Sequence, residues 1–207
     1  STSATCPATQ TVTVTVDQPP VIVFSPMNPS ICSGSAVTID AGPSTNTYSW
    51  VTSTGLTYLS ASHDSVSAAP LTTTTYNVTA TSPAGCSSSS NITVTVNNIP
   101  ALVLSDTAVV ICPNMTDTVT ITGANNYTWN PMTGATVLQP DGSQVEFSPA
   151  ASGTYTVVGT TTAGCVDSAT VSVTIANNIV VEAGLPDSIC PGTSTQLTGT
   201  GGNYYTW

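Results

Sequence analysis

The sequence contains no lysine and no arginine. Its 207 residues include ten aspartate or glutamate residues and one histidine, which gives a formal net charge of -10. Nucleic acids and anionic membrane surfaces are bound mainly by clustered cationic side chains. We therefore expect neither a nucleic-acid partner nor membrane insertion.

The sequence also lacks the motifs that carry common enzyme chemistry. It has no glycine-rich phosphate loop, no His or Cys cluster with metal-ligand spacing, and no pair of carboxylates at a repeated position. We therefore expect no enzymatic activity, no catalytic residue, no metal site and no cofactor.

Small β-forming and turn-forming residues make up much of what is present. The chain has 40 Thr and 26 Ser, and 40% of its residues are hydrophobic. This composition is sufficient for a folded core and differs from the charged, aromatic-poor profile of disordered chains.

An internal repeat organises the whole chain. Two cysteine series and one tryptophan series recur at spacings of 78 to 80 residues: Cys6, Cys86 and Cys165; Cys32, Cys112 and Cys190; Trp50, Trp129 and Trp207. A fixed period in three independent series indicates tandem repeats of about 79 residues. We assign the tail of a preceding repeat to residues 1–16, full repeats to 17–96 and 97–175, and the head of a truncated repeat to 176–207.

Within a repeat the hydrophobic period is two. In "NITVTV", Ile92, Val94 and Val96 alternate with threonine, as in a sheet with one buried face. About seven candidate strands lie near 21–25, 36–41, 46–52, 56–59, 65–69, 74–81 and 88–96. This spacing is typical of an all-β sandwich. "VLQPDGSQVEF" predicts a hairpin that turns at Pro140–Gly142.

The segments between repeats are short. "DQPP", "NNIP" and "ANN" connect them, and linkers of this kind favour a fairly stiff rod. Asp17 and Asn97 share the linker position, where oxygen ligands could hold Ca²⁺. The third copy has Ala176 there, so this signal for a junction cofactor is weak.

The cysteines are even in number and lack the two-residue spacings of zinc sites. In a chain that looks secreted, this pattern predicts disulfides. We pair Cys32 with Cys86 and Cys112 with Cys165, one bond in each full repeat. Cys6 and Cys190 would then bond to residues outside the sequence. Free thiols, or bonds that cross between repeats, are the alternatives.

The aromatic residues of each repeat admit two interpretations. Trp50 and Trp129 follow Tyr48 and Tyr127 by two residues, so each pair points to one face of a strand. An exposed pair could stack on sugar rings. We favour a core role instead, with each tryptophan packed on a disulfide at the centre of the sandwich. Tyr76 and Tyr155 are also assigned to the core.

His63, Asp64 and Ser65 have the residue types of a hydrolase triad. Adjacent residues on a strand or turn diverge, however, whereas a triad must converge in space. Alignment on tryptophan places His63 at the position of Gly142 in the next repeat. We therefore interpret His63 as an exposed turn residue.

Several aspartates begin the same three-residue pattern. Five of them precede Ser or Thr and then an apolar residue: Asp64, Asp106, Asp117, Asp167 and Asp187. The triplets do not occupy equivalent places in the repeat. This favours a modification signal that needs only exposure, and ordinary turn formation is the alternative.

The order "ICSGSAVTIDA…YSW…GL…AAPLTTTTYNVTATSPAGC…ITVTV" resembles the Ig-like and PKD-like repeats of giant secreted surface adhesins of Bacteroidota. Many of those are gliding-motility or adhesion proteins exported by type IX secretion. The tryptophan lacks the following Gly-Asp pair of true PKD domains, so kinship to those is distant. The resemblance implies tandem Ig-like/PKD-like β-sandwiches. It also implies O-glycans on the triplet hydroxyls: Ser65, Thr107, Thr118, Ser168 and Ser188.

Together these patterns predict a structural and adhesive function. We expect an extracellular, cell-surface stalk segment whose partners are adjacent repeats, with lateral association of chains into a fibre. Its external surface or glycan ligand is not defined by the sequence. The alternative is a spacer or carbohydrate-binding array in a secreted polysaccharide-degrading enzyme.

Overall fold

The computed structural model describes residues 10–176, 180, 182, 184, 186–201 and 206. The chain divides into two compact units, Ser1–Asn98 and Ile99–Trp207. Each unit contains one β-sandwich, and the two sandwiches are described separately.

The first sandwich has eight strands. They are β1 (Val23–Ser25), β2 (Ser30–Cys32), β3 (Val37–Gly42), β4 (Thr47–Val51), β5 (Leu56–Tyr58), β6 (Ser65–Ala68), β7 (Thr74–Thr81) and β8 (Ser87–Asn97).

These strands form two four-stranded sheets, β1-β3-β6-β5 and β2-β8-β7-β4. Every pairing is antiparallel except that of β2 with β8. Two such sheets, with sequential strands distributed between them, form an immunoglobulin-like sandwich. The predicted all-β sandwich fold is confirmed.

The second sandwich repeats this arrangement strand for strand. Its strands are β9 (Val103–Leu104), β10 (Ala108–Ile111), β11 (Asp117–Thr122), β12 (Asn126–Asn130), β13 (Ala135–Val137), β14 (Gln144–Phe147), β15 (Gly153–Thr160) and β16 (Val166–Ile175). The sheets are β13-β14-β11-β9 and β10-β16-β15-β12, and β10 runs parallel to β16. Among the residues described, the regular elements are all strands.

The first sandwich has one strand more than the seven predicted from the sequence, and the strand that was not predicted is β2. The first edge segment divides into β1, which pairs with β3, and β2, which pairs with β8. The three residues of β2 place only Ile31 in the core. A segment this short carries no detectable period-two pattern.

The hairpin predicted in the second repeat is present. Val137 of β13 pairs with Val145 of β14, and Gly142 in the turn has a φ of 77°. L side chains rarely adopt this conformation, so glycine suits the position.

Alternating side chains fill each core, as the period-two pattern predicted. In β8, Ile92 and Val94 are buried while Thr93 and Thr95 are exposed. The first core also contains Ile39, Val66 and Val78, which are completely inaccessible to solvent. The equivalent second core is built around Val119, Val145, Phe147, Val157 and Val171.

Candidate functional sites at the core, the turns and the poles of each repeat

The repeated tryptophans are core residues. Trp50 and Trp129 are 5% and 6% exposed. Each indole Nε1 donates a hydrogen bond of 2.9 Å to a turn carbonyl, that of His63 in the first repeat and Gly142 in the second. The two bonds place His63 and Gly142 at equivalent positions. An indole that is buried and tied to a turn offers no exposed face for stacking on a sugar.

The indole of Trp50 packs on aromatic rings. Its ring centroid lies 6.2 Å from that of Phe24 and 6.3 Å from that of Tyr76. Cys86, the expected partner of Cys32, is a free thiol, so the expectation that Trp50 packs on a Cys32–Cys86 disulfide is wrong. Ile39 and Val78 contribute apolar side chains to this same core.

Tyr76 ties β7 to a preceding turn, and Tyr155 does the same for β15. The Tyr76 hydroxyl donates to the Thr54 carbonyl at 2.9 Å, and the Tyr155 hydroxyl donates to the Thr133 carbonyl at 2.7 Å. Burial raises the pKa of both phenols above the ordinary value of a tyrosine. A buried phenol with a carbonyl acceptor is more stable in the neutral form.

Each sandwich has two ends, which we call its poles. The entry pole is the end at which the chain enters, and the exit pole is the end at which the last strand finishes. In the first repeat, the Cys86 thiol lies 3.6 Å from the carbonyl of Asp17, in the segment that leads into β1. Cys32 pairs with Asn97, the last residue of β8. Cys86 therefore lies at the entry pole and Cys32 at the exit pole.

The second repeat has the same distribution. Cys165 directly precedes β16, in a turn whose Thr162 amide donates a hydrogen bond of 3.0 Å to Asn125 Oδ1. Cys112 follows Ile111, which pairs with Ile175 at the end of β16. Cys165 thus lies at the entry pole and Cys112 at the exit pole.

This geometry excludes the disulfides predicted within repeats. The 11 residues of β8 separate Cys86 from the position of Cys32, a distance of roughly 35 Å at about 3.3 Å per residue. Disulfide-bonded cysteines have Cα atoms less than about 7 Å apart. Cys86 and Cys112 are free thiols, as is Cys190, whereas Cys32 and Cys165 are disulfide-bonded. The pairs Cys32–Cys86 and Cys112–Cys165 are therefore wrong.

The strand count carried a signal that could have excluded these pairs. Five strands, β3 to β7, lie between Cys32 and Cys86. Successive strands here cross the sandwich in alternate directions, so an odd number of crossings ends at the opposite pole. Cys6 lies outside the described residues.

His63, Asp64 and Ser65 do not form a catalytic arrangement. The His63 ring stacks on Tyr58 with centroids 4.0 Å apart. The Asp64 carboxylate accepts hydrogen bonds from the hydroxyls of Ser60 and Ser62, the latter at 2.7 Å. These hydroxyls lower the pKa of Asp64 below its ordinary value. His63 has a φ of 56° and occupies a turn, as its alignment with Gly142 predicted, but it is half-buried and not exposed as expected.

The triplet hydroxyls lie on the solvent side of the sandwiches to different degrees. Thr107, Ser168 and Ser188 are exposed, and Ser65 and Thr118 are half-buried. In three triplets the aspartate carboxylate accepts a hydrogen bond of 2.7 to 2.8 Å from the next backbone amide: Asp117, Asp167 and Asp187. This local contact is the one expected of a turn former. The hydroxyl of the neighbouring Ser or Thr takes no part in it.

The residues at the linker position make different contacts. Asn97 donates its side-chain amide to the Ser30 hydroxyl at 2.8 Å and to the Ile31 carbonyl at 3.3 Å. Asp17 is exposed, and Ala176 has no side-chain ligand atom. Over the described residues, no three His, Cys, Asp or Glu side chains lie close enough together to hold a metal ion. Junction Ca²⁺ stays a prediction.

No helix with the length and apolar character of a membrane span occurs in the part of the chain that the structure describes.

Comparison with known proteins agrees with the sandwich topology. Residues 18–100 match the family model "Ig-like domain CHU_C associated". The match covers the first repeat, and the chain is an array of Ig-like modules in its described part. None of the curated proteins compared with it matches.

Among solved structures, the chain is similar to an I-band fragment of titin, I67-I69, with a TM-score of 0.40 and 14% identity over 74% of this chain and 65% of that one. It is similar to the insect immune protein hemolin, with a TM-score of 0.42 and 14% identity over 76% and 46% of the two chains.

A third similar structure is SGBP-B of the Bacteroides ovatus mixed-linkage glucan utilization locus, solved with a mixed-linkage heptasaccharide. Its TM-score is 0.29, with 17% identity over 76% of this chain and 48% of that one. The chain spans about two thirds or less of the length of these three proteins.

Proposed function

We propose that this chain is a stalk segment of a large extracellular surface protein, in which Ig-like modules extend a binding region away from the cell. The observation that carries the proposal is the repetition of one sandwich, strand for strand, along the chain. A module that is repeated with the same core and the same turn bonds provides length.

The chemistry of the chain suits an extracellular location. Cys32 and Cys165 are disulfide-bonded, and disulfides persist in oxidising compartments. The sequence has no Lys or Arg, so proteases that cleave after these residues have no site. We therefore place the protein at the cell surface. Export by type IX secretion and a role in gliding or adhesion are the finer form of this proposal.

The alternative, a spacer or carbohydrate-binding array of a polysaccharide-degrading enzyme, has less support. Its sugar platform would need the tryptophans of "TYSW" and "NYTW", and Trp50 and Trp129 lie in the core.

The location can be tested with antibodies raised against residues 17–175. Immunogold labelling of intact cells of the native source should place particles outside the cell surface and at a distance from it. Label confined to the cell interior would contradict the proposal. A polysaccharide hydrolase activity on the same polypeptide would favour the alternative.

We further propose O-glycans on the five triplet hydroxyls. When residues 1–207 are produced and exported by cells of the native source, their mass should exceed the 20.9 kDa of the polypeptide. Replacement of the five triplet aspartates by alanine should remove the excess, whereas Asp40→Ala, outside a triplet, should leave it unchanged. A mass of 20.9 kDa for these 207 residues would show that the triplets are only turn formers.

A further inference from the structure

One sheet of the first sandwich presents a solvent side without a charged side chain. Strands β4, β7 and β8 contain no Asp, Glu or His, and every second side chain along them points away from the core. We call these outward side chains the outer face. It comprises every second residue from Thr47 to Val51, from Thr75 to Thr81 and from Ser87 to Asn97. Apart from Val51, all of them are Ser, Thr or Asn.

The carboxylates of the first repeat lie elsewhere. Asp40 belongs to β3 and Asp64 directly precedes β6, both in the opposite sheet, and Asp17 precedes β1. Because the chain has no Lys or Arg, a second copy could not neutralise a carboxylate, and burial of an unpaired charge is costly. The outer face therefore lets two copies meet without burying a carboxylate.

The corresponding sheet of the second sandwich differs in this respect. Its strand β16 contains Asp167, which is exposed. The inference is therefore confined to the first sandwich. The glycan proposed for that sandwich would be attached to Ser65 in β6 of the opposite sheet, so it would leave the outer face uncovered.

Hydroxyl pairs hold part of the outer face in a fixed arrangement. Thr75 Oγ1 and Thr93 Oγ1 lie 2.7 Å apart, and Thr79 Oγ1 and Ser89 Oγ lie 2.9 Å apart. Each pair uses one O–H as donor, so the other O–H and several lone pairs stay available. Side chains that are already ordered lose less entropy when a partner docks.

The centre of the outer face is complementary to itself. Asn77 and Asn91 lie directly opposite each other on β7 and β8 and are both exposed. Val51, which is 61% exposed, continues this row on β4. A carboxamide both donates and accepts hydrogen bonds, so the amides of one copy can pair with the same amides of another. A two-fold contact between identical surfaces requires this property.

We propose that the outer face is the docking surface for a second copy of this chain. Asn77 of each copy lies against Asn91 of the other, with the Ser and Thr hydroxyls around them. The use of this contact to bundle stalks rests on the stalk function proposed above, whereas the pairing of two copies does not.

The size of the outer face sets the strength of the contact. Strand β8 has 11 residues, which at about 3.3 Å per residue and about 4.8 Å between strands gives a face of roughly 35 by 15 Å. Two copies would bury roughly 1,000 Å² in total, at the lower end of specific interfaces. The expected product is a weak, reversible dimer, and a fibre would need many such contacts along each stalk.

Sedimentation equilibrium of the 207-residue chain tests the docking. Free thiols are first blocked with iodoacetamide, which excludes disulfide-linked dimers. The chain should show a reversible monomer–dimer equilibrium, and Asn77→Asp with Asn91→Asp should weaken it by about tenfold or more, because two like charges then face each other. Both positions are exposed, so the fold should be retained, which thermal unfolding verifies.

A second double variant provides the matched control. Asn28 and Asn114 are exposed in loops outside the outer face. Asn28→Asp with Asn114→Asp adds the same charge by the same isosteric change and should leave the dimer unchanged. Equal weakening by both double variants would overturn the assignment of the face. A monomer at all concentrations up to about 1 mM would show that only solvent or a different molecule covers it.

Oppositely charged variants test whether the two faces meet. A chain with Asn77→Lys and Asn91→Lys, mixed with the chain carrying Asp at both positions, should form a heterodimer that is tighter than the unmodified dimer and weakened by salt. The same Lys chain mixed with the Asn28→Asp, Asn114→Asp control should show no such gain. Equal binding to both Asp chains would overturn the proposal, while the immunogold result for the stalk would be unaffected.

Discussion

At the scale of single residues, the second sandwich depends on a glycine whose surroundings leave no room for a side chain. Gly123 has a φ of 106°, and a Cβ there would lie 1.9 Å from the carbonyl oxygen of Ala101. Gly123→Ala should destabilise the sandwich by about 2 kcal/mol or more, since backbone strain and displacement add. Denaturant unfolding measures this change.

A second glycine provides the control for that variant. Gly153 lies at the start of β15, where a Cβ would meet no atom of a non-adjacent residue within 4 Å and where φ is not positive. Gly153→Ala should change the free energy of unfolding by less than about 0.5 kcal/mol. Equal effects of the two substitutions would contradict the proposed backbone clash.

The buried phenols predict a dependence of stability on alkaline pH. Burial raises the pKa of Tyr76, so its contribution to stability is complete below the unfolded pKa and is lost as pH rises through the folded pKa. Tyr76→Phe should cost about 1 kcal/mol at neutral pH, because the Thr54 carbonyl loses its donor. This cost should shrink above about pH 10.

Urea unfolding of the wild type and of Tyr76→Phe across this pH range provides the measurement. Tyr58→Phe, at a ring that is 40% exposed, serves as the control. No lysine or arginine titrates alongside the phenols. A Tyr76→Phe cost that stays constant to high pH would show that the phenol is not linked to folding.

At the scale of strands, alternation along β3 and β4 separates core from surface. Ile39 of β3 is completely buried, and Val51 of β4 is 61% exposed. Ile39→Ala should reduce the free energy of unfolding by about 2–4 kcal/mol through lost burial and a cavity. Val51→Ala should change it by less than about 0.5 kcal/mol. Similar effects at both positions would contradict the assigned register.

The strands also show what sequence patterns can and cannot predict. Alternation of apolar and polar residues is local, so it identified the long strands and the hairpin around Gly142. The burial of Trp50 could be predicted from the β-branched residues near it in the sequence. These features depend on residues close together in the sequence.

The disulfide partners depend on non-local register. The parallel pairing of β2 with β8 places Cys32 beside Asn97 instead of near Cys86. β2 has only three residues and no recognisable pattern, so the sequence did not reveal this pairing. The regular recurrence of the cysteines correctly indicated disulfide chemistry but was equally compatible with bonds between repeats.

At the scale of the whole molecule, the absence of lysine and arginine determines which interactions can stabilise the chain. With no Lys or Arg and a net charge of -10, the chain must be held by sheet hydrogen bonds, apolar cores and disulfides. Repulsion between chains is weak at this charge density and is screened by salt. This supports the proposed lateral association of stalks into a fibre.

The central claim, that the repeats extend as a stalk, is tested most directly by small-angle X-ray scattering on chains of two, four and six repeats. The maximum dimension should grow linearly, by roughly 35–45 Å for each repeat, since the longest strand alone spans about 35 Å. A maximum dimension that grows as the square root of the repeat number, or that remains that of a compact globule, would contradict the account.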